Sequence, residues 1–194
     1  SYQSDSAWTW EHQALVRARF VAGDSAVAER VDAVRDQVLC QPRDMAQLKS
    51  EVTAMRRRMR AHLLSGDDAD SAEFDLKQGT GGIVDIEFMV QYAVLAWAHQ
   101  GPGLADWSDN VRILETLGRE GLFAQRDCEQ LTEAYLAYRS ASHQLALQQL
   151  PGVVEAGRFA AQREVVRTCW RALFGDAESG GDKKEETGEN NEPG

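Results

Sequence analysis

"FDLKQGTGGIVDIEFMVQYAVLAWA", residues 74–98, places Lys77, Gly79, Gly81, Gly82, Asp85 and Glu87 at the head of a long, almost wholly apolar segment. Two conformations give this stretch different chemistry. In a strand, residues i and i+2 share a face, so Asp85 and Glu87 could jointly hold a divalent cation while the glycines cradle a triphosphate. In a helix the same two carboxylates diverge by about 200° and become acids favoured by the macrodipole. The apolar run from Ile83 to His99 exceeds the about five or six residues typical of a strand, and the helical reading is adopted. Its apolar residues surround the axis instead of forming a stripe, which places this helix at the centre of a bundle.

Outward from it, the chain reads as helices joined by short breaks. A first helix is expected from about Ser6 to Phe20, with Asp5 as N-cap and Gly23 beyond its end. Asp24 then caps a second helix carrying Val27, Val31, Val34 and Val38, and Pro42 lies past its end. A third carries Met45, Leu48, Val52, Met55 and Met59 on one stripe, with Arg56, Arg57, Arg58 and Arg60 assigned to its solvated side. "SGDDADS" reads as a surface loop and "EFDLKQ" as a short extended piece. After the central helix, Ser108 or Asp109 caps a helix through Leu117. A long helix from about Gln125 to Gln149 aligns Leu131, Tyr135, Tyr138, Ser142 and Leu145, and a last one spans about Arg158 to Phe174. The fold class is all-α: a multi-helix bundle of about six or seven helices with a short extended segment.

The formal charge of −10 is unevenly placed. Residues 175–194 hold seven acids and two lysines, half of the net charge, with no apolar residue larger than alanine, and are expected to be disordered. Neither this balance nor the body of the chain asks for nucleic acid. Cys40, Cys128 and Cys169 are odd in number and far apart, so a reduced, cytoplasmic setting is expected. The N-terminal residues lack a signal-peptide pattern, and the longest apolar run is too short and broken for a membrane span.

Few residues carry chemistry by spacing alone. His12, His62, His99 and His143 are isolated from one another, which argues against histidine-bound metal. The P-loop spacing is absent around Lys77, leaving a solvated lysine or a contact to phosphate at a helix start. Glu87 and Gln91, four apart on a buried helix, read either as satisfied polar contacts or as a stripe lining a crevice. Arg17 and Arg19 point different ways on a helix and read as surface arginines. A partner-binding role for the Arg56–Arg60 run stands second to a solvated face.

Four stretches together resemble one family: "YQSDSAWTWEHQALVRARFVAGD", "FDLKQGTGGIVDIEFMVQYAVL", "WSDNVRILETLGREG" and "LQQLPG". They are similar, in order and spacing over Tyr2 to Phe174, to the glutamine synthetase adenylyltransferase/adenylyl-removing enzymes, and more to the adenylylating, C-terminal half than to the other. That resemblance implies an enzyme that transfers AMP from ATP, with Mg²⁺, to a tyrosine of glutamine synthetase, under the control of the PII signal protein and glutamine. The family's metal-binding carboxylates sit on Gly-Ser and Asp-x-Arg-Leu-Arg-Pro units that do not occur in this sequence.

The expectation is therefore a C-terminal piece without catalytic or metal residues of its own. Its divisions would be a helical edge at 1–41, a helical bundle domain at 42–174 and an acidic tail at 175–194. The resemblance directs Arg17, Arg19 and Lys77 toward nucleotide phosphates, and Asp85, Glu87 and Gln91 toward a crevice between domains. Gly81 and Gly82 would let the main chain pass close to the nucleotide. The alternative is a non-enzymatic helical interaction module.

Overall fold

The computed structural model describes residues 9–63 and 72–175. Among these, seven α-helices and one two-stranded ribbon are formed: α1 (Thr9–Arg17), α2 (Ser25–Leu39), α3 (Met45–Leu63), β1 (Glu73–Asp75), α4 (Ile83–Trp97), α5 (Asn110–Arg119), α6 (Gln125–Leu147), β2 (Val153–Glu155) and α7 (Ala160–Phe174). The all-α bundle read from the sequence is the architecture observed.

The 74–98 stretch resolves as predicted: α4 is helical from Ile83 and buried at twelve of its fifteen positions. Helices α1, α3, α5, α6 and α7 all pack on it. A helix apolar on every side can be stable only where neighbours surround it, and α4 has five. Aromatic rings fix its far end, with Tyr92 edge-on to Phe174 at 5.0 Å and Trp97 edge-on to Phe123 at 5.9 Å.

Several caps follow from the sequence. The Asp24 carboxylate accepts from the Ala26 amide at 2.8 Å, and that of Asp109 accepts from the Arg112 amide at 3.0 Å. Each satisfies one of the donors that a helix start leaves open. Other expectations need correction. Helix α1 ends at Arg17 instead of Phe20: the Ala18 amide donates to the Leu15 carbonyl, a tightened closing turn, so Arg19 lies outside the helix. The proposed Asp5 cap, the "SGDDADS" loop and the acidic tail beyond Gly175 fall outside the described residues.

Strand β2 was not foreseen. It pairs antiparallel with β1, Phe74 opposite Val154, and so ties the chain entering α4 to the chain entering α7. Strand β1 lies within the "EFDLKQ" piece read as extended, whereas β2, three residues long, carries too little alternation to be read as a strand.

Two arginines act as internal staples. Arg35 is 6% exposed and donates to the carbonyls of Val16 at 3.0 Å, Trp107 at 2.9 Å and Ala105. Arg43 donates to the Val38 carbonyl at 2.9 Å and to the Leu95 carbonyl at 3.3 Å, joining the ends of α2 and α4. Burial pushes both guanidinium pKa values below their ordinary range, which a group this basic tolerates while staying charged. With the bonds of Arg43 to the Leu39 and Gln41 carbonyls, seven bonds to main-chain oxygen fix α2 by its C-terminal end.

Candidate functional site

The head of α4 is built from the turn that precedes it. Asp75 ends β1, and one oxygen of its carboxylate accepts from the amides of Lys77 and Gln78, both at 2.8 Å. This folds the chain back so that the amides of Gly82, Ile83 and Val84 donate to the carbonyls of Gly79, Leu76 and Lys77. The donors that open a helix, and that would ordinarily greet an anion, are satisfied here by the turn itself.

The glycines serve that folding. Gly81 has φ +84°, a conformation that L side chains rarely adopt, and a Cβ there would lie 2.9 Å from the Arg163 carbonyl of α7. A Cβ on Gly82 would meet the carbonyls of Gly79 and Leu76, both at 2.9 Å. What these residues admit is backbone from the same chain.

Asp85, in the first turn of α4, is 2% exposed. Its carboxylate accepts from Arg56 Nε at 2.6 Å, from Arg60 Nη2 at 3.0 Å on both oxygens, and from the Gly81 amide at 2.7 Å. Arg56 continues to the Gln78 carbonyl at 2.7 Å. This corrects the placement of the arginine run. Arg56 is 1% exposed and Arg60 only partly exposed, while Arg57 and Arg58 keep the solvated face assigned to all four. The signal was present: Leu48, Val52, Arg56 and Arg60 follow at four-residue steps, so the arginines continue the buried line. A buried carboxylate requires a cation, and α3 supplies two.

Glu87 and Gln91 have a second environment. Arg17 Nη1 lies 3.2 Å from Glu87 Oε1, and Gln13 Nε2 donates to Gln91 Oε1 at 3.2 Å. Both helices offer polar side chains four residues apart, and the pairs run in opposite order along them, so α1 and α4 meet antiparallel along a polar seam. Glu87 is half-buried with Arg17 over it, on a different side of α4 from Asp85. The structure therefore joins Arg17, Glu87 and Gln91 in one place and Asp85, Gly81 and Gly82 in another. Lys77 is exposed on the turn and Arg19 exposed beyond α1. Gln13 and Gln78 are the members of these two networks that the sequence reading does not name, and it gives Arg56 and Arg60 to solvent instead of to Asp85.

Among the described residues no three His, Cys, Asp or Glu side chains converge as a metal set. No helix among them is long and apolar enough to cross a membrane.

Comparison with known proteins gives this arrangement its context. Residues 49–151 match the family model described as GlnD PII-uridylyltransferase, and residues 1–34 match that of glutamate-ammonia ligase adenylyltransferase. The bifunctional glutamine synthetase adenylyltransferase/adenylyl-removing enzyme of Pseudomonas aeruginosa is 51% identical over 181 residues, covering 89% of this chain and 18% of its own length. Its counterpart in Nitrosococcus oceani is 50% identical over 175 residues, covering 90% of this chain and 18% of itself. The chain belongs to the glutamine synthetase adenylyltransferase family.

Within that family it spans less than a fifth of the length of these curated relatives. The uridylyltransferase-type match runs from within α3 to just past α6, and so includes the whole Asp85 network and the α4 side of the α1–α4 seam. The adenylyltransferase match covers α1 and most of α2.

Proposed function

We propose that this chain is the helical portion of an enzyme that transfers AMP from ATP to a tyrosine of glutamine synthetase, its bundle closing over a nucleotide held mainly by other parts of that enzyme. The observation that carries this reading is the identity of about half of all residues with adenylyltransferases across nine-tenths of the chain. The PII signal protein and a cytoplasmic setting accompany the same reading; three free cysteines among the described residues are compatible with it.

The residues of this chain do not fit Mg²⁺. Asp85 already accepts hydrogen bonds from two arginines and an amide, and Glu87 faces Arg17 from another side of the helix. A divalent cation needs oxygen ligands brought together, which these two carboxylates are not. The metal-binding acids of the reaction therefore belong to the remainder of the enzyme, and this chain alone is catalytically silent.

Toward ATP the candidates divide. Gly81, Gly82 and Asp85 hold the turn and α4 in place. Arg17, Arg19 and Lys77 remain exposed enough to reach a triphosphate presented by a neighbouring domain, where positioned cations stabilise developing charge. Glu87 and Gln91 orient α1, and with it Arg17.

The test uses two proteins. The 194-residue chain, mixed with glutamine synthetase, ATP and Mg²⁺, is expected to incorporate no AMP. The P. aeruginosa relative, with its aligned segment replaced by this chain, is expected to incorporate it. AMP transfer by the isolated chain would overturn the assignment of chemistry to other parts. A folded chimera that neither adds nor removes AMP would overturn the family role.

A further inference from the structure

The stripe Val27, Val31, Val34, Val38 on α2 changes character along its length. Val38 is 3% exposed in the core, whereas Val34, Val31 and Val27 are 49%, 37% and 51% exposed. Four-, three- and four-residue steps put all four on one face, with Glu29 opposite. Amphipathic helices normally bury such a face. Here α2 is anchored by Arg35 and the Arg43 bonds at one end and capped by Asp24 at the other, so the helix is held firmly while its apolar side stays bare.

We infer that this valine stripe is the seat of the adenylyltransferase domain of the longer enzyme, a docking surface for an apolar, uncharged patch on that domain. The inference rests on the family reading above. Three observations select this occupant. Residues 1–34, which include the three exposed valines, match the adenylyltransferase model, whereas the well-buried bundle from 49 to 151 matches another. The curated relatives are more than five times as long as the segment matched here, so ample chain exists to cover the stripe. The stripe is also continuous with the core through Val38, so a domain seated on it extends the existing apolar interior.

Hydrogen exchange at the amides of residues 26–34 tests this. The 194-residue chain is compared with the chimera in which it replaces the aligned segment of the P. aeruginosa relative. Exchange is expected to slow at least tenfold in the chimera. Val31→Asp should restore the fast rate there, Glu29→Gln should not, and α4 should stay protected in all of them. Should the chimera not fold, transplanting residues 25–34 alone into the relative makes the same comparison. Equal exchange in both proteins overturns the proposal. So does a dimer of the 194-residue chain, by light scattering, that Val31→Asp dissolves, since a second copy would then be the occupant. Slowed exchange in a chimera without AMP transfer would leave the interface standing and sink the functional reading; the converse sinks the interface alone.

Discussion

Arg56 of α3 and Asp85 of α4 lie 2.6 Å apart with their side chains 1% and 3% exposed. Both are charged in an interior where an unpaired charge is very unfavourable, so each is tolerated because of the other. Around them Arg60, the Gly81 amide and the Gln78 carbonyl complete the hydrogen bonding, and α3, the turn and α4 become one joint. Removing one partner is far worse than removing both. Asp85→Ala is expected to cost about 3–5 kcal/mol of unfolding free energy, because it strands a buried guanidinium. A double variant, Arg56→Met with Asp85→Leu, should cost clearly less than the sum of the two single changes. Urea denaturation of the parent, Arg56→Met, Asp85→Leu and the double variant checks this, with Asp85→Ala measured alongside; strict additivity would deny the pairing.

The turn ahead of α4 makes a sharper steric prediction. A methyl group on Gly82 would press on two carbonyl oxygens at 2.9 Å, and backbone oxygen cannot rotate away as a side chain does. Gly82→Ala should therefore destabilise the fold by roughly 2 kcal/mol or more. Gly152 offers a control, since a Cβ there meets nothing within 4 Å. Gly152→Ala should stay within about 0.5 kcal/mol of the parent by thermal or chemical denaturation. If the two variants behave alike, close approach of backbone is not why glycine occupies position 82.

The central helix was legible because its signal is long: fifteen residues with apolar side chains all around admit one environment. The Asp24 and Asp109 caps were legible because a carboxylate at a helix start has one local use. What failed to show was decided by distant parts of the chain. That Asp85 belongs to Arg56 depends on α3 lying against α4, 29 residues away in sequence; four-residue steps from Leu48 put Arg56 and Arg60 on the buried line of α3 but do not say which carboxylate meets them. The valine stripe of α2 carries a periodicity indistinguishable from that of a buried helix, yet the described residues cover only its end. Pattern reports which face is apolar, not what meets it.

The α1–α4 seam should respond to salt where the Asp85 joint does not. Arg17 and Glu87 are 3.2 Å apart but 36% and 24% exposed, so their attraction is screened by ions. Arg17→Ala is expected to cost about 0.2–1 kcal/mol at low ionic strength and to approach zero in about 1 M salt. Asp85→Ala should keep most of its cost under the same conditions. A double-mutant cycle on Arg17 and Glu87 at both salt concentrations measures the coupling. Coupling undiminished by salt would mean the pair is far drier than its exposure indicates.

Alkaline pH should weaken the contact between α6 and α7. Burial, with the charges of Asp127 and Glu129 adding to it, pushes the Cys128 thiol from 9.0 up to about 11. Cys169 of α7 is likewise raised to about 11, again chiefly by burial. Well below pH 9 both thiols are neutral in folded and unfolded chain alike, and they contribute no pH dependence. Between pH 9 and 11 the unfolded chain releases these protons while the folded chain retains them, so stability falls as pH rises. For Cys128 alone the loss across that window is roughly 2–3 kcal/mol. Cys128→Ala should flatten the slope above pH 9 while altering the stability at pH 8 only by the volume it removes. Denaturation curves at half-unit steps from pH 8 to 10.5 decide the matter; parallel slopes for parent and variant would show that the thiol ionises in the folded chain as readily as in water.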